Sequence, residues 1–174
     1  MIVLHFYLRK LYRHSFKLSE TKDSEYLSIV GELMRTDGVQ YMSKTIQHSD
    51  ITTFEHVRSV SFISYKICKH LKWNYVAAAR GALLHDLVYY DWHDSDKSHR
   101  LHGYRHPGFA LKNAGELTNL SELEENIILR HMFPLTPIPP RYKESILVSL
   151  VDKYCATKET LRKYQRNPEV LRNV

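Results

Sequence analysis

Apolar positions fall three and four residues apart through most of the chain, the repeat that gathers them on one face of an α-helix. Between Ser24 and Arg35 the run Ser-Glu-Tyr-Leu-Ser-Ile-Val-Gly-Glu-Leu-Met-Arg keeps that spacing and is expected to stop near Asp37-Gly38. A second short helix is expected from there to about Gln47. Thr52, with Glu55 three residues on, has the form of a capping box, in which a hydroxyl and a carboxylate satisfy each other's backbone amides at a helix start. Behind it Val60, Ile63, Ile67 and Leu71 share a face, and His56 lies on the same apolar face. Asn74 suits the cap of an alanine-rich stretch predicted to run helical to about Tyr90, with Ala78, Ala82 and His85 in line. Gly81 would let a neighbouring helix approach closely. Pro107 fits the first position of a helix through Phe109, Leu111 and Ala114, which places His106 at its cap. Ser121 and Glu124 form another capping box ahead of Ile127, Ile128 and His131. Pro134, Pro137, Pro139 and Pro140 then require a stiff, extended connection that no helix could cross. The last helix is predicted from near Tyr142, with Ser145, Val148, Ser149 and Asp152 on its inner face and a polar tail after Lys163. With no internal repeat, low-complexity segment or alternating strand pattern, the expected class is all-α.

Size and charge narrow this picture. A chain of 174 residues that is 43% hydrophobic fits one domain with a sizeable core. A formal charge of +6 favours anionic partners: nucleotides, phosphate esters, nucleic acid or an acidic surface. Nucleic acid is disfavoured, because Lys and Arg are scattered and no reader motif is present. Cys68 and Cys155 sit in apolar helical patterns and read as buried free thiols, which argues against a disulfide framework or thiolate zinc. Met1-Ile2-Val3-Leu4 is interrupted by His5 and followed by Arg9, Lys10 and Arg13, the wrong order for a secretory signal. No run is long enough to span a bilayer, so a cytoplasmic location without membrane partners is expected. Assembly into a homo-oligomer is left open.

The candidate chemistry lies in His56, the doublet His85-Asp86, and Asp152, each in a stretch that reads as helix. A histidine on an apolar face is, by itself, more often a satisfied core residue than a ligand. Asp86, however, falls among alanine, leucine and valine, and Asp152 follows Leu147-Val148-Ser149-Leu150-Val151, so both carboxylates head for apolar surroundings. Burying an unpaired carboxylate costs several kcal/mol. A salt bridge would compensate, as would a divalent cation shared with imidazoles. Two imidazoles and two carboxylates without thiolate suit manganese, iron, nickel, cobalt or magnesium better than structural zinc.

The series His56, His85-Asp86, Asp152 resembles the HD-domain superfamily, named for the doublet matched here in Leu-Leu-His-Asp-Leu. The likeness also takes in Phe54-Glu55-His56-Val57, Ala79-Arg80-Gly81-Ala82, Leu150-Val151-Asp152-Lys153 and the helix-opening His106-Pro107-Gly108-Phe109-Ala110. It implies a single-domain helical bundle over residues 24–165 with its core at 47–160, preceded by a segment 1–23 and followed by a tail 166–174. It further implies one or two metal ions, with Asp86 bridging to a second ion held by His106 and His131; His102 is the rival to His106. The activity implied is hydrolysis of a nucleotide or other small phosphate ester by metal-activated water. Arg80, Arg105, Arg130, Arg141 and Lys143 could grip phosphate, with Arg141 and Lys143 held stiffly by the prolines; simple solvation is the rival account. Besides Asp86, the candidates for catalysis are His48, in the turn before the first ligand helix, and Asp91, just after the doublet. Where many members carry glycine and lysine after the doublet, this chain has Leu87-Val88-Tyr89-Tyr90, so that lysine's role does not transfer. Two other classes within the resemblance are a di-iron oxygenase and a non-catalytic nucleotide-binding module, and the full ligand series argues against the latter.

Overall fold

In a computed structural model, which describes residues 2–48, 50–89 and 102–166, the chain is a helical bundle. Its elements run α1 (Ile2–Ser15), α2 (Ser24–Arg35), α3 (Asp37–Tyr41), a 3-10 turn (Met42–Lys44), β1 (Ile46–His48), β2 (Ile51–Thr52), α4 (Thr53–His70), α5 (Tyr75–Leu84), α6 (His102–Leu117), α7 (Glu122–Arg130) and α8 (Lys143–Arg166). The all-α expectation holds apart from one small antiparallel pair, β1 with β2, registered Ile46 to Thr52 and His48 to Ile51.

The central element is α4, which packs against α1, α5 and α8. Its sequence explains that position. Val57, Val60, Phe62, Ile63, Tyr65 and Cys68 are buried together with Ser59, Ser61 and Ser64, so the helix is enclosed on most sides rather than along one stripe. Two of these serines bond to backbone carbonyls: Ser59 donates to Glu55 O at 2.8 Å and Ser61 to Ala79 O at 2.7 Å. Its start is the predicted capping box, with Glu55 N–H donating to Thr52 Oγ1 at 3.2 Å and Thr52 N–H to Glu55 Oε2 at 3.0 Å. At its end Lys72 takes a left-handed φ of 57°, while Trp73 N–H reaches Cys68 O and Lys72 N–H reaches Lys69 O, the bond pattern of a Schellman stop. That turn sends the chain back as α5. Gly81 on α5 admits α7 closely: a Cβ there would stand 3.0 Å from Ile127 Cδ1.

Three boundaries differ from expectation. The short helix predicted to reach Gln47 ends at Tyr41, and a 3-10 turn leads into β1; a strand of three residues facing one of two is too short to show alternation in sequence. The helix α5 ends at Leu84 rather than near Tyr90, because His85 turns its ring back on the helix and bonds Ala82 O, the acceptor that the next turn would use. The helix α6 opens at His102, so Pro107 lies in its second turn and His106 is an interior residue, not a cap. Proline there removes one amide donor but keeps helical φ. Cys68 and Cys155 are buried and free, as expected. No helix among the described residues is long and apolar enough to cross a membrane.

Candidate metal centre

Six side chains from five helices meet inside the bundle: His56 from α4, His85 and Asp86 from the end of α5, His106 from α6, His131 from the end of α7, and Asp152 from α8. All are buried. His85 and His131 occupy equivalent positions, each the residue following its helix, each still in right-handed geometry (φ −62°, ψ −28° and φ −60°, ψ −28°). Each donates from Nδ1 to the carbonyl three residues back, Ala82 O at 2.7 Å and Ile128 O at 2.8 Å. A helix terminus thus fixes the plane of both rings and presents both Nε2 atoms inward.

His56 is fixed differently and to the same effect. Its Nδ1 donates to the buried carboxylate of Glu159 at 2.9 Å, and its Nε2 lies 3.0 Å from Asp152 Oδ1. Carbonyls and carboxylates accept and never donate, so three of the four rings carry their proton on Nδ1, outside the cluster. When neutral, they offer bare Nε2 lone pairs to the interior. The two aspartates add further lone pairs. Asp86 Oδ2 is 3.3 Å from His85 Nε2, while its Oδ1 is 3.1 Å from His106 Nε2 and 3.4 Å from His131 Nε2. Asp152 Oδ1 is also 3.7 Å from His85 Nε2, and the His106 and His131 Nε2 atoms approach to 2.8 Å.

Such a concentration of lone pairs in a dry interior is repulsive unless positive charge enters it. In the protein without metal the charge comes as protons. Burial disfavours the imidazolium of His56, yet Glu159 and Asp152 prevail and raise its pKa well above the usual value. His85 is likewise raised to about 10, against burial, by Asp86 and Asp152. Burial also opposes ionisation of Asp86 and Asp152, but the surrounding histidines hold both below the usual carboxylate range. His131 moves the other way, lowered by burial and by the positive charge of His85 despite Asp86 nearby. Even so, His85 Nε2 and Asp86 Oδ1 remain buried without a hydrogen bond. These orphaned atoms fit a divalent cation, whose attraction needs no donor alignment. His56, His85 and Asp152 form one set of ligand atoms close enough to share an ion, and His85, Asp86 and His131 form another.

The sets open on a cavity of about 710 Å³. Its lining combines polar residues, Gln47, Asp86, His106, His131, Asp152 and Lys153, with the apolar Met132, Pro134, Leu135 and Ala156 and with Gly103. Among the sequence-predicted phosphate contacts, the structure brings Arg80, Arg141 and Lys143 elsewhere. Arg80 ties α5 to α7, with Nε 2.5 Å from Glu124 Oε1 and Nη2 donating to Thr118 Oγ1 and Asn119 O. The Arg141 guanidinium lies over the Tyr142 ring and the Lys143 ammonium over Trp73. Asp91 and the side chains of His48 and His102 lie outside the described residues.

Four residues of this region were missed in the sequence. Gln47 donates to Asp86 Oδ2 at 2.8 Å while its carbonyl accepts from Thr53 Oγ1, which steadies the aspartate. Lys153 donates to His131 O at 2.9 Å and to Ser149 Oγ, placing a cation at the cavity wall; burial lowers its pKa although Asp152 opposes the shift. Glu159 orients His56, and the Tyr12 hydroxyl donates to Glu159 Oε1 at 3.2 Å. The spacing of Ser145, Ser149, Asp152 and Glu159 along one face of α8 is the signal that would have found the glutamate.

Residues 53–157 match the family model of the HD domain. No curated protein matches the chain, and no solved structure does.

Proposed function

The chain belongs to the HD-domain family, and from that footing we propose that it hydrolyses a nucleotide or another small phosphate ester in a metal-dependent reaction. The observation that carries this reading is the convergence of two overlapping ligand sets on a cavity lined by both polar and apolar residues. His56, His85 and Asp152 would hold one ion, and His106 and His131 a second, with the two oxygens of Asp86 turned toward different histidines as a bridging carboxylate requires. A divalent cation bound there supplies Lewis acidity, which acidifies water and neutralises phosphoryl charge.

The chain's own residues do the rest. Gln47 fixes Asp86, and the carbonyl bonds of His85 and His131 fix the imidazoles, so the ligands need little rearrangement. Lys153, its ammonium held at the cavity wall by His131 O and Ser149 Oγ, places a positive charge that suits a phosphate oxygen, in the role the sequence had offered to Arg141 and Lys143. Met132, Pro134 and Leu135 give the organic part of the ester an apolar wall. The cavity is within the size range of small-molecule sites.

The test is metal content of protein prepared without chelator, combined with a phosphate-release screen over nucleotides and simpler phosphate esters, for the wild type and Asp86→Ala. About two equivalents of metal, lost in the variant together with phosphate release, is the expected result. Protein that takes up no metal when manganese or iron is supplied would overturn the reading. Bound iron with oxygen-dependent turnover and no phosphate release would replace it with an oxygenase.

A further inference from the structure

Four basic side chains meet in a place outside the two candidate ligand sets. Helices α1 and α8 enclose a groove of about 890 Å³ on the side of α8 that carries Lys158 and Arg162. Arg9 and Arg13 enter it from α1, and Lys158 and Arg162 from α8. Lys153 lies where this groove and the metal-side cavity share the helix. Arg162 has an acid 3.7 Å away in Asp50, but Arg9, Arg13 and Lys158 form no ion pair with any described residue. Glu159, the acid nearest in sequence to Lys158, is buried and engaged by His56 and Tyr12.

Cations that repel each other are normally splayed into solvent. Here Arg9 and Arg13, both exposed, line one groove with Lys158, which is partly buried with its ammonium 5.2 Å from the centre of the Tyr12 ring. Burial together with Arg9 and Arg13 disfavours its charged form. A concave surface that holds several uncompensated cations over an aromatic floor is preorganised for a compact ligand of high negative charge density.

We propose that the groove between α1 and α8 is a second binding site, separate from the metal centre, for a small molecule bearing an oligophosphate chain. Its volume lies in the small-molecule range, and two helices wall it. A groove between two helices favours a ligand narrow enough to lie between them over a flat membrane surface. Arg9 and Arg13, one helical turn apart on α1, face successive phosphate groups, and Lys158 faces the same chain from α8.

The experiment is calorimetric titration of the full chain with inorganic tripolyphosphate, without added metal, at two salt concentrations. Four proteins are compared: wild type, Arg9→Glu/Arg13→Glu, the milder Arg13→Gln/Lys158→Gln, and Asp86→Ala, each checked for helical content by circular dichroism. Wild type and Asp86→Ala are expected to bind alike and more weakly at high salt, and each groove variant to lose about tenfold or more in affinity. Binding that survives both groove variants but disappears in Asp86→Ala would put the anion at the metal centre and overturn the proposal. Absence of tripolyphosphate binding to folded wild type would do so too, including when phosphatidylserine vesicles bind, since the cations would then serve a lipid surface.

Discussion

Replacing Glu159 with glutamine is expected to weaken metal binding without unfolding the protein. The side chain is fully buried, with Oε2 accepting from His56 Nδ1 at 2.9 Å and Oε1 accepting from the Tyr12 hydroxyl at 3.2 Å. Glutamine keeps the volume and one acceptor for the imidazole N–H, but removes the charge that makes Nε2 a strong donor to a cation. Partners of this kind typically set metal affinity by about 10- to 100-fold, or roughly 1.4 to 2.7 kcal/mol. Two effects oppose each other as pH falls. Glu159 also raises the His56 pKa, so protons compete with metal more strongly in wild type than in the variant. The ratio of dissociation constants should therefore be about tenfold or more near pH 8 and smaller near pH 6. Manganese titration followed through the electron paramagnetic resonance signal of free Mn(II) measures both. A folded variant with wild-type affinity at both pH values would refute the reasoning and reduce the His56–Glu159 bond to a packing contact.

Metal binding near pH 7 is expected to release about two protons, one each from His56 and His85, because both are charged in the metal-free protein and only neutral imidazole ligates; calorimetry in buffers of different ionisation enthalpy counts them, and no release would contradict the assigned protonation. The same shifts set the metal-free stability profile. Raised histidines contribute fully below their ordinary pKa of about 6.5 and lose that contribution as pH climbs through the folded values, about 10 for His85. Depressed aspartates contribute above about 3.9 and lose it as pH falls further. Melting temperature without metal should thus peak between these ordinary values and decline on the alkaline side, and saturating metal should flatten that decline. Lys153→Met should raise KM for a phosphate ester about tenfold with little change in metal content, and an unchanged KM would remove the lysine from the substrate site. Gly81→Ala should lower stability by about 1–3 kcal/mol through overpacking, since the added Cβ would meet Ile127 at 3.0–3.1 Å; denaturant unfolding decides it.

Elements fixed by local chemistry were legible in the sequence. The boxes at Thr52 and Ser121 and the asparagine cap at position 74 are satisfied by neighbours three residues away, and all three form as read. The convergence of the candidate ligands was legible because carboxylates amid apolar runs need a partner. What depended on distant contacts was not. The end of α5 is set by the ring of His85 folding onto Ala82 O. Pro107 is compatible with a first helical position, but the helix opens a turn earlier, where Gly103 leaves room for Leu135. Arg80, Arg141 and Lys143 are close in sequence to ligands, yet each turns toward Glu124, Tyr142 or Trp73; Lys153, adjacent to Asp152, turns to the cavity.

The siting of candidate ligands at helix ends has an energetic consequence. A histidine in a helix interior has its backbone carbonyl neighbours occupied by the helix, so its Nδ1 needs an outside acceptor, as His56 needs Glu159. After the last turn the carbonyls are free, and His85 and His131 use their own helices to fix their tautomers. These two candidate ligands therefore need no further buried charge to orient them. The His56 side of the centre meets that requirement through an α8 glutamate and an α1 tyrosine. Loosening α1 would thus be felt at the ion near His56 before the ion near His131. Tyr12→Phe, which removes one hydrogen bond to Glu159 and no ligand, should weaken the tighter-coupled manganese site by a few-fold while leaving the second unchanged; equal weakening of both would show that the two ions are held as one unit.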